Sequence, residues 1–387
     1  MISVISIALN QKKKMLSSVL KRFNLGILFI AWRLALFIPL IIGAYLLPYN
    51  LSSPVSYIYH YINQNLSFNS VSLFPWANFD GIHYLNIAEH GYTNQARFFP
   101  LFPLIIKAIS GSLAVSIVLV TIIFFLASLL FKKLIDLDFP SQIATRGLVY
   151  LLLFPTSFFF VSIYSEGLFL LLTLSAFYFA RKKMWFLSII CAMLLMATRF
   201  VGIAILPALL YEFFRGGSNQ YKKLALFLLV PLGLIAYSLF NYYKWHNFLY
   251  FIQAQGELGN NRSVSSIVFF PQTIFRYFKI LLTVPINYEW GIALLELISF
   301  LFAGFLLYFA WKKKIRISYL IFALINFAII ISTGTFSGLP RYVLTIFPVF
   351  IALALIESKV FKFAYMIISP VLLFILLMLF SRGYFVA

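Results

Sequence analysis

The constraint that governs this chain is a succession of apolar runs, each close to the length of a membrane-crossing helix and broken by short polar stretches. A helix that crosses hydrocarbon needs about 20 predominantly apolar residues, within a range of about 17 to 25. About eleven segments approach that pattern: 24 to 47, 111 to 131, 143 to 163, 165 to 180, 184 to 198, 200 to 214, 224 to 243, 291 to 311, 317 to 333, 343 to 356 and 361 to 380. Several are short, which is tolerated where a helix is buried among others or lines a water-filled cavity. Charged residues make up 10% of the chain, against about 25% in a soluble globule. No hydrophilic block is long enough to fold alone, so residues 1 to 387 read as one all-α, polytopic membrane domain with elaborated loops.

The net charge of +20 raises the question of a nucleic-acid partner. Its distribution argues against one. The cations fall in short clusters between apolar runs: Lys12 to Lys14 with Lys21 and Arg22, Lys132 and Lys133, Arg181 to Lys183, Arg215 with Lys222 and Lys223, Lys312 to Lys314 with Arg316, and Lys359 with Lys362. Basic clusters of this kind mark cytoplasmic loops. With the N-terminus in the cytoplasm, strict alternation puts all six clusters inside. It puts residues 48 to 110, the Glu166 turn, the Arg199 turn, residues 244 to 290 and residues 334 to 342 outside. The first long apolar segment is expected to act as an uncleaved signal anchor, because Lys12 to Lys14 follow the brief apolar start, the reverse of a signal peptide's order. Cys191 is the sole cysteine and lies in an apolar run, so no intramolecular disulfide is available.

Residues 79 to 104, F-D-G-I-H-Y-L-N-I-A-E-H-G-Y-T-N-Q-A-R-F-F-P-L-F-P-L, hold two of the ten acidic residues and two of the four histidines. Loops as long as 48 to 110 and 244 to 290 are usually functional. Short interfacial helices are expected over Gly81 to His90, stopped by Gly91, and over Val264 to Lys279. Trp76, Tyr84, Tyr92, Trp245, Tyr250 and Tyr288 fall where an aromatic belt would lie.

Each polar residue has a plain reading beside a chemical one. Asp80 is placed to cap the first helix through its carboxylate, or to serve as a reacting carboxylate. His83 shares its helical face and could be a neighbour of that carboxylate or half of a metal site. Two such residues without a His-x-x-x-His or cysteine pattern are weak evidence for metal. Glu166 and Arg199 sit between apolar runs, where ionisable residues are costly and default to function; an ion pair between them would satisfy both structurally. Arg341, followed by Tyr342, suits a phosphate or a lipid headgroup. Gln253 and Gln255 could meet sugar hydroxyls or simply water. Asp136, Asp138, Glu212 and Glu357 fall near cytoplasmic ends and are expected to be solvated, and Glu89, His90 and Arg97 are expected on a solvated side.

Taken together, these blocks resemble the PIG-V mannosyltransferase family, including its prokaryotic members. F-D-G-I-H-Y-L-N-I-A-E-H-G-Y with F-F-P-L-F-P-L is similar to the family's W-D-x-x-H-Y-L-x-I-A-x-x-G-Y and F-F-P-L-Y-P-L. S-F-F-F-V-S-I-Y-S-E-G-L-F, A-T-R-F-V-G, F-I-Q-A-Q and R-Y-V-L-T-I-F-P follow in the family's order, over about residues 79 to 354. Phe79 stands where the family has Trp, and His246-Asn247-Phe248 where relatives often have Gly-Asp-Pro, which leaves sugar and acceptor identity open.

The resemblance implies a GT-C membrane enzyme whose large first external loop carries the catalytic Asp. It implies inverting transfer of a hexose, mannose in the eukaryotic relatives, from a polyprenyl-phosphate donor to a hydroxyl of a glycolipid, glycan or glycoprotein at the external face of the cell membrane. Carried over by motif, Asp80 and His83 take the catalytic positions, and Glu166, Arg199, Gln255, Arg341 and Tyr342 the substrate-binding ones. No cofactor is required by a lipid-phosphate donor, although a divalent metal is compatible. The competing class is a polytopic lipid or solute transporter or flippase. Transporters commonly show matched repeats with broken helices in both halves, whereas here the two long loops are dissimilar.

Overall fold

The computed structural model describes residues 25–50, 58, 67–216, 221–256, 263, 266 and 268–387. The first basic cluster and parts of both long loops, including the start of the second expected interfacial helix, lie outside the described residues. Among the described residues every regular element is helical. The main helices are α1 (Leu25–Leu46), α2 (Asp80–His90), α3 (Leu101–Ala108), α4 (Leu113–Ile135), α5 (Ser141–Leu153), α6 (Glu166–Arg181) and α7 (Trp185–Met196). They continue with α8 (Ile205–Arg215), α9 (Leu232–Trp245), α10 (Phe270–Thr283), α11 (Tyr288–Lys312), α12 (Ile317–Ile331), α13 (Pro348–Ala354) and α14 (Lys359–Ser381).

Among the described residues five helices are long and apolar enough to cross a membrane: α1, α4, α11, α14, and Lys223–Trp245, in which a 3-10 segment leads into α9. The other six apolar segments are helical over shorter stretches, and local chemistry sets their limits. α5 stops at Leu153 because Pro155 drives Phe154 into an extended conformation, with φ −59° and ψ 141°. The segment then continues only as a 3-10 turn, Ser157–Val161. α13 begins at Pro348, whose missing N–H costs nothing in a helix's first turn. α6 and α7 are separated by Lys183, which takes a left-handed φ of 59°.

The core is built from the short helices. Every residue of α13 is buried, and it packs against α5 and α11. α6 is buried along most of its length between α4 and α7. A helix that is apolar all round belongs inside a bundle. The long helices instead turn apolar side chains outward, among them Ile30 and Leu34 of α1, Ile122 of α4, Phe305 of α11 and Phe363 and Val371 of α14. Outward apolar faces on helices of spanning length define a multi-pass membrane protein. α9 lies so close to α7 that a Cβ at Gly233 would stand 2.1 Å from the Met193 carbonyl oxygen.

Polar side chains are concentrated at the two ends of α6. At its C-terminus Arg181 contacts the Asp138 carboxylate at 2.5 Å and donates to the Tyr319 hydroxyl, which in turn donates to Asp138 at 3.1 Å. Arg316 grips Glu212 through two N–H donors, and the Ser318 hydroxyl adds a third at 2.7 Å. Glu212 is therefore not solvated, contrary to expectation, whereas Asp138 stays exposed while it is paired. Glu212 is 5% exposed, and a carboxylate so placed is held charged by its partners. Trp76 and Tyr84 are also buried in the core rather than lying in an interfacial belt.

Candidate functional site

The other end of α6 carries the residues that the sequence singled out. α2 spans the expected interfacial helix and stops at Gly91, which has a φ of 80°. It buries Gly81, Tyr84, Leu85, Ile87 and Ala88 and exposes Asn86, Glu89 and His90. Its docking partner is the turn that leads into α6. Ile163 donates its N–H to the Trp76 carbonyl at 2.8 Å. The Tyr164 hydroxyl donates to the Asn78 carbonyl at 3.0 Å and accepts the Asp80 N–H at 3.3 Å. The Tyr84 hydroxyl donates to Ser165 Oγ at 3.0 Å. This docking brings Asp80 beside Glu166.

Asp80 is not the N-cap. The cap position belongs to Phe79, at φ 57° and ψ −115°, and Asp80 is the first helical residue. A non-glycine residue held there costs on the order of 1–3 kcal/mol and persists only where its surroundings fix it. The Phe79 ring is held between Phe380 and Phe385, with centroids 5.5 and 5.7 Å away. The turn leaves the Asp80 carboxylate facing arginines instead of the helix's own N–H groups.

Arg341 arrives from a loop closed by two left-handed glycines, Gly334 at φ 78° and Gly338 at φ 77°. The backbone leading to it is anchored at two points. Thr156 donates to the Pro340 carbonyl at 2.7 Å, and the Tyr277 hydroxyl accepts the Phe336 N–H at 3.0 Å while donating to Glu296. Tyr277 belongs to α10, the helix of the second long loop, where the expected element is found shifted to Phe270–Thr283.

The result is a chain of five charges. Arg97 Nη2 meets Asp80 Oδ1 at 3.3 Å, and Arg341 Nη1 meets Asp80 Oδ2 at 2.7 Å. Arg341 Nε lies 3.3 Å from Glu166 Oε1, which Arg199 also contacts at 2.5 Å. Glu166 and Arg341 have side chains 2% and 7% exposed, whereas Asp80 is 20% exposed and marks the open side. Tyr342 accepts from Arg341 at 3.3 Å, and its ring lies under Arg199. His83 stacks on Phe98, with ring centroids 5.0 Å apart.

Three arginines oppose two carboxylates, so the chain carries one excess positive charge. Burial pushes the Asp80 carboxyl upward, but Arg341, then Arg97 and His83, more than offset this and hold its pKa at about 2. Burial lowers the His83 pKa, against the pull of Asp80. In this arrangement Asp80 is a charged anchor with both oxygens engaged, and the two arginines oppose an incoming proton. Among the described residues no three histidine, cysteine or acidic side chains converge as metal ligands.

Asp80, His83, Glu166, Arg199, Arg341 and Tyr342 are thus gathered in one place. Gln255 lies just past the one-turn helix Tyr250–Gln253, half-buried. The aromatic contact of Phe251 with Phe99 joins that turn to the segment carrying Arg97. Arg97 is the site residue that the sequence reading placed on the solvated side. A signal for it is present in the sequence: an arginine directly before an apolar F-F-P-L run.

Comparison with known proteins yields no matching family model, curated protein or solved structure.

Proposed function

We propose that this chain is an inverting glycosyltransferase of the membrane, moving a hexose from a polyprenyl-phosphate donor to an acceptor hydroxyl at the external face. The observation that carries this reading is the chain of five charges, in which three arginines surround Asp80 and Glu166 with one positive charge to spare. Buried guanidinium groups in excess over carboxylates suit an anionic group such as a phosphodiester. The exposed edge of the site is the carboxylate that the resemblance to the PIG-V family casts as catalytic.

In the proposed reaction the acceptor oxygen attacks the anomeric carbon from the face opposite the phosphate. The new C–O bond forms as the bond from the anomeric carbon to the phosphate oxygen breaks, and that bond's electron pair stays with the phosphate. Asp80 takes the acceptor's hydroxyl proton. The arginines stabilise the charge that grows on the leaving phosphate. His83 lies one helical turn from Asp80, in the supporting position that the resemblance implies, and burial lowers its pKa. Mannose is the sugar that the resemblance implies, and the acceptor is a glycolipid, glycan or glycoprotein of the cell envelope. The basic clusters support a cytoplasmic N-terminus and an external orientation of the site.

Purified protein in lipid, given polyprenyl-phosphate mannose or glucose with candidate acceptors, is expected to form a glycosylated product detectable by mass spectrometry. Asp80→Asn is expected to lose at least about 100-fold in turnover while still binding polyprenyl phosphate. Transfer that proceeds from a nucleotide sugar alone overturns the lipid-donor reading. Undiminished turnover in Asp80→Asn overturns the assignment of the base.

A further inference from the structure

With an arginine on each of its oxygens Asp80 is a poor proton acceptor, so the departure of one arginine strengthens it as a base. The two candidates differ in every respect that sets the cost of leaving. Arg341 is 7% exposed, contacts Asp80 at 2.7 Å, lies beside a second carboxylate, Glu166, and is walled by the rings of Tyr164 and Tyr342. Arg97 is 13% exposed, contacts Asp80 at 3.3 Å, and Asp80 is the one carboxylate it pairs with among the described residues. It sits at the open end of the charge chain.

The backbone around Arg97 is pinned. The Tyr237 hydroxyl donates to the carbonyls of Ala96 and Phe98, and the Tyr92 hydroxyl donates to Phe98 as well. Movement is thereby confined to the side chain, which already lies against the Phe98 ring at 4.7 Å. Leu101 donates its N–H to the Ala197 carbonyl at 3.1 Å, so the Arg97 segment and the Arg199 turn are neighbours.

We propose that Arg97 is the exchangeable arginine of the site: it pairs with Asp80 in the resting protein and transfers to the phosphate of a bound lipid phosphate, releasing Asp80 Oδ1 as the proton acceptor. The proposal rests on the lipid-phosphate reading above and adds how the base is armed. Charge supports it. A phosphodiester brings one negative charge, which neutralises the cluster's excess. Arg341 stays bridged between Asp80 and Glu166, so the freed carboxylate remains anchored through Oδ2. The acceptor hydroxyl then meets the stronger base only when the donor is in place.

The test uses the full-length protein in lipid nanodiscs with farnesyl phosphate as probe and uncharged farnesol as control. The sequence has three aspartates, Asp80, Asp136 and Asp138, and the last lies in the network at the far end of α6. Carboxyl-labelled aspartate therefore gives an infrared signal that Asp80→Asn assigns. Farnesyl phosphate is expected to raise the titration point of Asp80 in the wild type by about 1 to 3 pH units, the usual effect of an arginine within about 4–6 Å. Farnesol is expected to leave it in place. Arg97→Gln is expected to bind farnesyl phosphate about 10- to 100-fold more weakly, the range for a hydrogen bond to a charged group, and to show the raised Asp80 titration without ligand. Arg97→Lys is expected to recover part of the binding. If the wild type binds farnesyl phosphate and Arg97→Gln binds it equally well, or if Asp80 does not respond to it, the exchange is refuted and the transferase reading stands. If the wild type binds no farnesyl phosphate, the lipid-phosphate reading fails and the exchange with it.

Discussion

Arg341→Met tests the charge chain at its centre. Arg341 is shared between Asp80 and Glu166, at 2.7 and 3.3 Å, with its own side chain 7% exposed. Removing one partner of a buried ion pair typically costs about 3–5 kcal/mol because an unpaired charge is left behind. Here the loss is smaller than for an isolated pair, since Asp80 keeps Arg97 and Glu166 keeps Arg199. Two contacts are lost but neither carboxylate is orphaned, so the expected destabilisation is below about 3 kcal/mol. The methionine fills much of the space of the arginine stem, which keeps cavity formation out of the result. Unfolding by titration with a denaturing detergent, on the single variants and on Asp80→Asn with Arg341→Met, gives a double-mutant cycle. The coupling between the two positions is expected at about 1–3 kcal/mol. Additivity within about 0.5 kcal/mol would show that the two side chains do not interact in the folded protein, and the site as described would be wrong.

The remaining predictions address other parts of the molecule. Glu212→Gln weakens the grip of Arg316 and Ser318 at the far end of α6, and is expected to lower stability by about 1–3 kcal/mol while leaving farnesyl phosphate binding unchanged. Gly233→Ala places a Cβ against the Met193 carbonyl and must push α9 from α7; a loss of about 1–3 kcal/mol is expected in the same detergent titration. For pH, the Asp80 pKa of about 2 lies below the unfolded value of about 3.9. Its contribution is complete above about pH 3.9 and is lost only as pH falls through about 2, so unfolding measured from pH 8 to 5 carries no slope from Asp80. His83, with its pKa lowered by burial, binds fewer protons folded than unfolded. Stability therefore declines as pH falls below about 6.5, and His83→Asn is expected to remove that part of the slope.

The apolar spans were legible in the sequence because hydropathy over some twenty residues is a local property, and α1, α4, α11 and α14 fall where the runs predict. Segment 143 to 163 contained its own correction in Pro155, whose effect on Phe154 ends α5. The gathering of Asp80, Glu166, Arg199 and Arg341 is half legible: ionisable residues between apolar runs announce partners, and the pair of Glu166 with Arg199 is expected and found. The other partners stay hidden because they are distant in the chain. Arg316 meets Glu212 across 104 positions and Arg341 meets Asp80 across 261, and no local pattern encodes such a pairing. Arg97 was misplaced for the same reason: it looks like an exposed loop cation until the turn at Phe79 is known to aim Asp80 toward it.

α6 has a consequence for how the protein sits among lipids. Its 16 residues give an axial length of about 24 Å, and tilt can only shorten its reach across the bilayer. The hydrocarbon layer is about 30 Å thick, so a bilayer standing across α6 must close a gap of about 6 Å. Arginine side chains that reach outward and local thinning of the lipid close such gaps, and carboxylate–guanidinium pairing lowers the cost for any charge left below the headgroups. A helix shorter than its membrane thus couples the two faces: the more room one network has at the surface, the more the other relies on its own pairing.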